Sequence, residues 1–158
     1  MKQSEVQFGV VDVDTLKSMS GLEFIEAMRD GRIPAPPIAG TLCFSLTGAR
    51  AGEVRFDGTP LKGHYNPIGS VHGGWAATLL DSCMGCAVQT MVPMGSTYTT
   101  LELSVNFVRA ITLASGPMQA IGHVLHSGRR SATAEGRLVD GKGTLYAHGT
   151  TTCMIMPL

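Results

Sequence analysis

Charged residues are scarce in this chain of 158 residues. They make up 15% of the sequence, and 12 basic and 12 acidic side chains give a formal net charge of zero. Without a basic excess, the composition does not indicate nucleic acid or an anionic membrane as a partner. Hydrophobic residues reach 44%, and so much apolar surface on a lightly charged chain predicts contacts between subunits.

Long apolar runs are also lacking. No stretch approaches the roughly 18 apolar residues that a membrane-spanning helix needs. The first five residues are mostly polar and no signal-peptide core follows them, so we expect a cytoplasmic protein. The length suits one domain with a real core. We predict an N-terminal extension over residues 1–20 and a single domain over residues 21–158.

Metal-binding and redox motifs are sparse as well. The chain has four cysteines, and Cys83 and Cys86 have the spacing of a redox motif or of half a zinc site. They fall within a long apolar segment with no second ligand pair nearby, so we interpret them as packed thiols. His123 and His126 are predicted on opposite faces of one strand, which argues against a shared metal. We therefore expect no metal and no cofactor.

The hydrophobic pattern predicts few helices and many strands. Ser20 suits the N-cap of a short helix over residues 21–29, and the proline-rich segment 33–38 favours an extended connector. A long helix is predicted from about His72 to Met91, where Pro93 stops it. Strands are predicted over residues 41–47, 53–56, 99–107, 118–126, 130–139 and 144–156.

The order of these elements indicates the fold. The long helix is apolar around most of its circumference, so it must be buried on most sides. The strands that follow are consecutive and joined by short turns, such as residues 140–143, which implies an antiparallel sheet. An antiparallel sheet wrapped around one buried helix is the hotdog fold, and we predict this α+β architecture.

The segment 99–107 alternates between apolar and polar residues, which predicts a strand with two distinct faces. The inner face would hold Leu101, Leu103, Val105 and Phe107. The outer face would hold a polar row, either solvated or at a contact between dimers, made of Tyr98, Thr100 and Glu102.

A narrow stripe of the long helix is not apolar. At about 100° per residue, Gly74, Thr78, Asp81 and Gly85 fall within about 60° of arc. Asp81 is the only charged residue of this predicted helix. Because a charge on a buried helix is costly unless it is paired or used, Asp81 is a candidate catalytic residue. The alternative is that it ties down a loop.

The start of the same helix is open to a ligand. His72-Gly73-Gly74 exposes free N–H groups at the positive end of the helix dipole, which can hold a developing oxyanion. The alternative is a tight turn that requires glycine. Gly73 and Asp81 are about 12 Å apart along the helix, and a base has to come within about 3 Å of its water. We therefore predict a homodimer whose subunits share each site.

These residues belong to a longer pattern, made of residues 66–74 (NPIGSVHGG), 80–81 (LD), 103–109 (LSVNFVR) and 127–130 (SGRR). This pattern resembles the phenylacetate-degradation (PaaI-like) branch of the hotdog thioesterases, over roughly residue 21 to the end of the chain. The resemblance implies hydrolysis of an acyl-CoA thioester to free acid and CoA. The low charge further predicts that dimers pair into tetramers.

The resemblance also implies roles for individual residues. Asp81 would be the general base or, alternatively, the nucleophile, and the backbone N–H of Gly73 would bind the oxyanion. Asn66 would position the water or the thioester, and His72 would steady the helix start. The implied substrate-binding residues are Gly74, Thr78, Arg109, Gly128, Arg129 and Arg130, with arginines on the CoA phosphates unless they are ordinary solvated turn residues.

Two positions depart from the related aryl-CoA enzymes. Those enzymes often have glutamate at the position of Asp81, and they can carry a hydroxyl at the position of Gly85. We therefore do not predict an aryl substrate. Two other functions stay open, namely hydration or dehydration of an acyl thioester, in which His72 could act with Asp81, and acyl-CoA binding without catalysis.

Overall fold

The computed structural model describes residues 6–158. Residues 1–5 of the predicted N-terminal extension lie outside them, and the domain division at residue 20 stays a prediction. The helices are α1 (Val13–Lys17), α2 (Gly21–Arg29), α3 (Pro37–Leu42) and α4 (Gly73–Gln89). The strands are β1 (Phe44–Arg50), β2 (Glu53–Gly58), β3 (Ser96–Phe107), β4 (Met118–Ser127), β5 (Ser131–Asp140) and β6 (Leu145–Pro157). No helix in the described residues is long and apolar enough to cross a membrane.

The predicted short helix α2 begins with a reciprocal cap. The backbone N–H of Glu23 donates to Ser20 Oγ over 3.3 Å, and the backbone N–H of Ser20 donates to Glu23 Oε2 over 2.8 Å. This capping box satisfies two N–H groups that the helix itself cannot bond. Ile25 and Ala27 are buried on the inner side of α2. The predicted helix and its N-cap are confirmed.

The segment before β1 differs from the prediction. An extended connector is predicted over residues 33–38, but helix α3 already begins at Pro37. Pro37 occupies the first turn of α3, where its fixed φ suits a helix and its missing N–H is not needed. Cys43 ends α3 with a φ of 54°, so β1 begins at Phe44 rather than at residue 41. Trp75 Nε1 donates to the Leu42 carbonyl over 2.9 Å and holds α3 against α4.

All six strands form one antiparallel sheet in the order β1-β2-β4-β5-β6-β3. Every strand contacts α4, whose side chains Leu79 and Leu80 are fully buried. Glycine lets the sheet approach the helix closely, since a Cβ at Gly136 of β5 would lie 2.9 Å from Met84 Cγ. The predicted α+β hotdog architecture is confirmed.

A β-bulge interrupts β3. Thr100 pairs with Cys153 and Glu102 pairs with Thr152 on β6, so Leu101 has no partner between them. An extra residue shifts the alternation of side chains by one position. Even-numbered residues of β3 therefore face α4 before the bulge, and odd-numbered residues face it after the bulge.

The bulge makes part of the predicted strand pattern wrong. Tyr98 and Thr100 face α4 instead of pointing outward, and Leu101 is 62% exposed instead of lying on the inner face. Glu102 is exposed, as predicted. Beyond the bulge the inner residues are the predicted ones, Leu103, Val105 and Phe107.

A second bulge leaves Leu125 of β4 unpaired. It places His123 and His126 on the same exposed face of the sheet, so their predicted placement on opposite faces is wrong. His123 Nε2 lies 2.7 Å from Glu53 Oε2. Within residues 6–158, no group of three or more histidine, cysteine or acidic side chains is arranged to hold a metal.

Candidate active site

The start of α4 is shaped by its N-cap. The helix begins at Gly73, and the backbone N–H of Gly74 donates to His72 Nδ1 over 2.8 Å. This bond is the means by which His72 would steady the helix start. The backbone N–H of Gly73 has no acceptor among the described residues. Of the two candidate oxyanion donors, Gly73 is therefore the one that is free.

The loop before α4 is closed by Asn66. Its Oδ1 accepts from the backbone N–H groups of Ile68 and Ser70 over 3.0 and 3.3 Å, and its Nδ2 donates to Ser70 Oγ over 3.0 Å. Most of the side-chain amide is thus committed to the shape of the loop. A primary amide carries two hydrogens, so one N–H of Asn66 is left for a substrate or a water.

Four predicted site residues line one cavity of about 330 Å³ beside the helix start: Asn66, His72, Gly73 and Arg109. Phe107 closes one side, since a Cβ added at Gly73 would lie 3.0 Å from Phe107 Cζ. We call these five residues the donor half-site. It offers backbone N–H groups and a cation, but it contains no carboxylate.

A second set of residues surrounds Asp81 in the middle of α4. Asp81 is partly buried, and Thr100 Oγ1 donates to its Oδ1 over 3.0 Å. This bond fixes the carboxylate and leaves Oδ2 without a partner among residues 6–158. Thr78, one turn earlier, donates its hydroxyl to the Gly74 carbonyl over 2.8 Å. The sequence pattern does not indicate Thr100 as a site residue, because it predicts an outward-pointing side chain at this position.

Tyr98 covers the helix one turn beyond Asp81. A Cβ added at Gly85 would overlap the Tyr98 hydroxyl and would lie 2.8 Å from Tyr98 Cε2. Burial raises the pKa of Tyr98 well above its ordinary value, and nearby Cys86 and Asp81 raise it further. We call Asp81, Gly85, Tyr98 and Thr100 the acid half-site.

Cys83 is buried in the core and Cys86 is partly buried against it, next to the acid half-site. Burial raises the pKa of Cys83 above its ordinary range, and burial raises the pKa of Cys86 to about 12. Thiols with raised pKa values stay protonated at neutral pH and are poor nucleophiles and metal ligands. This agrees with the interpretation of Cys83 and Cys86 as packed thiols.

The remaining predicted arginines lie apart from the donor half-site. Arg129 and Arg130 are exposed on the β4–β5 turn, which Gly128 closes with a backbone hydrogen bond. They line a separate cavity of about 280 Å³ next to Ser96, at the start of β3. Arg109 lies with its guanidinium 5.8 Å from the centroid of the Tyr146 ring, at the other end of that strand.

The two half-sites lie at different levels of one helix–strand pair. Phe107 covers Gly73 and Tyr98 covers Gly85, so β3 runs antiparallel along the polar stripe of α4. Gly73 and Asp81 are eight residues apart in the sequence, which is about 12 Å along the axis. One chain does not easily offer groups at this separation to a single carbonyl.

The sequence of this region is similar to sequences of known proteins. The profile of the thioesterase superfamily matches residues 68–147, which contain all of α4. A protein of Halobacterium salinarum that is named as an esterase candidate is 32% identical over 111 residues, which cover 67% of this chain and 72% of that protein.

Solved structures share the fold as well. A protein of Ralstonia eutropha JMP134, described as a thioesterase candidate related to phenylacetic acid degradation, is 28% identical, with a TM-score of 0.75, and the match covers 83% of this chain and 98% of that one. A mutant of the phenylacetic acid degradation protein PaaI of Thermus thermophilus is 25% identical, with a TM-score of 0.68, and the match covers 75% of this chain and 97% of that one. The chain belongs to the thioesterase superfamily, as a thioester hydrolase of the PaaI-like hotdog type.

Proposed function

We propose that this thioester hydrolase cleaves acyl-CoA to free acid and CoA, with Asp81 as the general base. The backbone N–H of the partner subunit's Gly73 would bind the oxyanion. The observation that carries this proposal is the carboxylate of Asp81, which Thr100 holds by one oxygen while the other oxygen is free. A carboxylate fixed in this way can accept a proton from a water in a defined direction.

The reaction proceeds through a tetrahedral intermediate. The water oxygen bonds to the thioester carbon, its proton passes to Asp81, and the carbonyl oxygen becomes an oxyanion that accepts from the N–H of Gly73. The carbonyl then re-forms as the C–S bond breaks. The leaving thiolate of CoA takes the proton from Asp81, which restores the base. The second amide hydrogen of Asn66, which has no acceptor in the loop, would donate to the thioester or the water.

Support for a shared site comes from the edge of the sheet. β3 is an edge strand that pairs with β6 on one side only, so its other side presents unpaired backbone groups. It and the residue after it carry three exposed apolar side chains, Leu101, Phe107 and Val108. Antiparallel pairing of β3 with its copy would bring the donor half-site of one subunit towards the acid half-site of the other.

The same pairing would gather the arginines. Arg129 and Arg130 lie by Ser96 at one end of β3, and Arg109 follows the other end. In an antiparallel pair these two ends meet across the interface. Guanidinium groups from both subunits would then contact the phosphates of one CoA. The remaining exposed apolar surface favours the further pairing of dimers into tetramers.

The position of His72 favours hydrolysis over hydration or dehydration. A hydratase needs a histidine and a carboxylate at one centre, whereas His72 caps the helix start through its Nδ1 and stands nine residues before Asp81. The cytoplasm is the compartment we assign, because all four cysteines are free thiols and such thiols persist in a reducing environment.

The test is release of free CoA, followed with a thiol reagent, over a panel of short-chain, medium-chain and aryl acyl-CoAs. Wild type should turn over at least one class, and Asp81→Asn should lower its kcat by roughly 10²–10⁴-fold. The matched control is Glu135→Gln, which neutralises an exposed carboxylate on β5 and should leave kcat unchanged. Unchanged kcat in Asp81→Asn would remove Asp81 from the mechanism. Binding of acyl-CoA without turnover by wild type would instead identify a binding protein.

A further inference from the structure

We propose that the hydroxyl of Tyr98 is a second catalytic group of the acid half-site, which donates a hydrogen bond to the water that Asp81 activates. This inference rests on the proposed function. It concerns a residue that no sequence motif marks, and that faces the helix because the bulge at Leu101 shifts the alternation of β3.

The position of the hydroxyl follows from Gly85. Cβ atoms four residues apart on a helix are about 5–6 Å from each other, and the Tyr98 hydroxyl occupies the place of a Cβ at Gly85. It therefore stands one helical turn from Asp81, on the same stripe. A water held at about 2.8 Å from the hydroxyl and from the carboxylate would bridge these two groups, which stand one helical turn apart.

The hydroxyl is also available as a donor. Tyr98 makes no side-chain hydrogen bond to another residue within 6–158, although its ring packs against the core. Because burial raises its pKa, the phenol keeps its proton through the neutral range. It can thus donate to one lone pair of the water, while Asp81 accepts a water proton and the second lone pair attacks the carbonyl. Tyr98 keeps its own proton throughout the reaction.

The choice of glycine at position 85 is consistent with this proposal. Glycine in the interior of a helix is destabilising relative to alanine, and Gly85 lies well inside α4. Any larger side chain there would displace the Tyr98 hydroxyl. The absence of a side chain at Gly85 thus leaves room on α4 for a hydroxyl from β3, one helical turn from Asp81.

The test is Tyr98→Phe, which removes one oxygen and keeps the ring. Its kcat on the best acyl-CoA should fall roughly 10- to 100-fold, with KM within about two-fold of wild type, because the hydroxyl orients the attacking water and does not bind the acyl-CoA. The thermal unfolding midpoint should stay close to that of wild type. The matched control is Thr99→Val, which removes a hydroxyl from the opposite face of the same strand and should leave kcat unchanged.

Two outcomes would overturn the inference in distinguishable ways. Wild-type kcat in Tyr98→Phe, together with an inactive Asp81→Asn, would exclude Tyr98 and leave the proposed function standing. A raised KM with unchanged kcat in Tyr98→Phe would assign Tyr98 to the wall of the acyl pocket and exclude it from the chemistry. Absence of turnover in wild type would overturn the proposed function and this inference together.

Discussion

The donor half-site and the acid half-site are built in different ways. The backbone donor of the donor half-site is shaped locally, because the His72 cap and the Asn66 loop surround Gly73 within nine residues of sequence. Phe107 and Arg109, in contrast, reach the same cavity from the end of β3. The acid half-site joins two distant elements, since Asp81 of α4 meets Thr100 of β3. The comparison teaches that a short motif can specify backbone donors, whereas a catalytic side chain needs the register of a remote strand.

The two half-sites are also chemically complementary. The donor half-site has a free N–H and a cation but no base, and the acid half-site has a base but no cation and no helix N-terminus. Each lacks what the other provides. Their separation along one helix makes the shared site the simplest arrangement in which both act on one carbonyl.

The largest effect in the donor half-site is expected from Gly73→Pro, which removes the free N–H. Proline is well tolerated at the first position of a helix, and His72, with φ −61° and ψ 136°, has the backbone that a residue before proline adopts. We expect kcat to fall roughly 10²–10³-fold. CoA release and circular dichroism would measure activity and folding on the same sample.

The control for this change is Gly73→Ala. Alanine keeps the N–H but brings the same Cβ within 3.0 Å of the Phe107 ring, which has to shift by a few tenths of an ångström. It should retain most of the activity. Equal losses in the alanine and proline variants would point to crowding by the Cβ and would argue against an oxyanion donor at Gly73.

A smaller effect is expected in the acid half-site from Thr100→Val, which removes the hydroxyl that orients Asp81 at nearly constant volume. Because Asp81 itself remains, we expect kcat to fall only about ten-fold. Steady-state kinetics of Thr100→Val, with Thr99→Val measured in parallel as the control, would separate this loss from a general effect on β3. If Thr100→Val kept the full kcat, Asp81 would not depend on this bond for its orientation.

Most of the fold and the donor half-site could be predicted from the sequence. The cap at Ser20 and the buried helix α4 follow from short-range patterns, and so does the glycine-opened start at Gly73. The acid half-site could be predicted only for its helix residues, Asp81 and Gly85. The alternation of residues 101–107 gives no sign of an extra residue. The pattern therefore assigns Leu101 to the inner face and Tyr98 and Thr100 to the outer face, and these three assignments are wrong.

One signal of the bulge was present in the sequence. Tyr98 and Leu103 are both large and five residues apart, so a regular strand cannot place both on its inner face. Either one points outward or a bulge intervenes, and the choice depends on the contacts of Tyr98 with Gly85, which lie outside any local window. The arginines raise a similar difficulty, because Arg109 and Arg129 lie at opposite ends of β3 and would meet only across two chains.

The central claim is that Asp81 and Gly73 of different subunits make one site, and mixing two inactive variants tests it most directly. In a heterodimer of Asp81→Asn and Gly73→Pro chains, one site carries both defects and the other carries neither. After subunit exchange, verified by native mass spectrometry, random pairing should restore about a quarter of the wild-type activity. Activity that stays at the level of the separate variants, although the heterodimers form, would contradict a site shared between subunits.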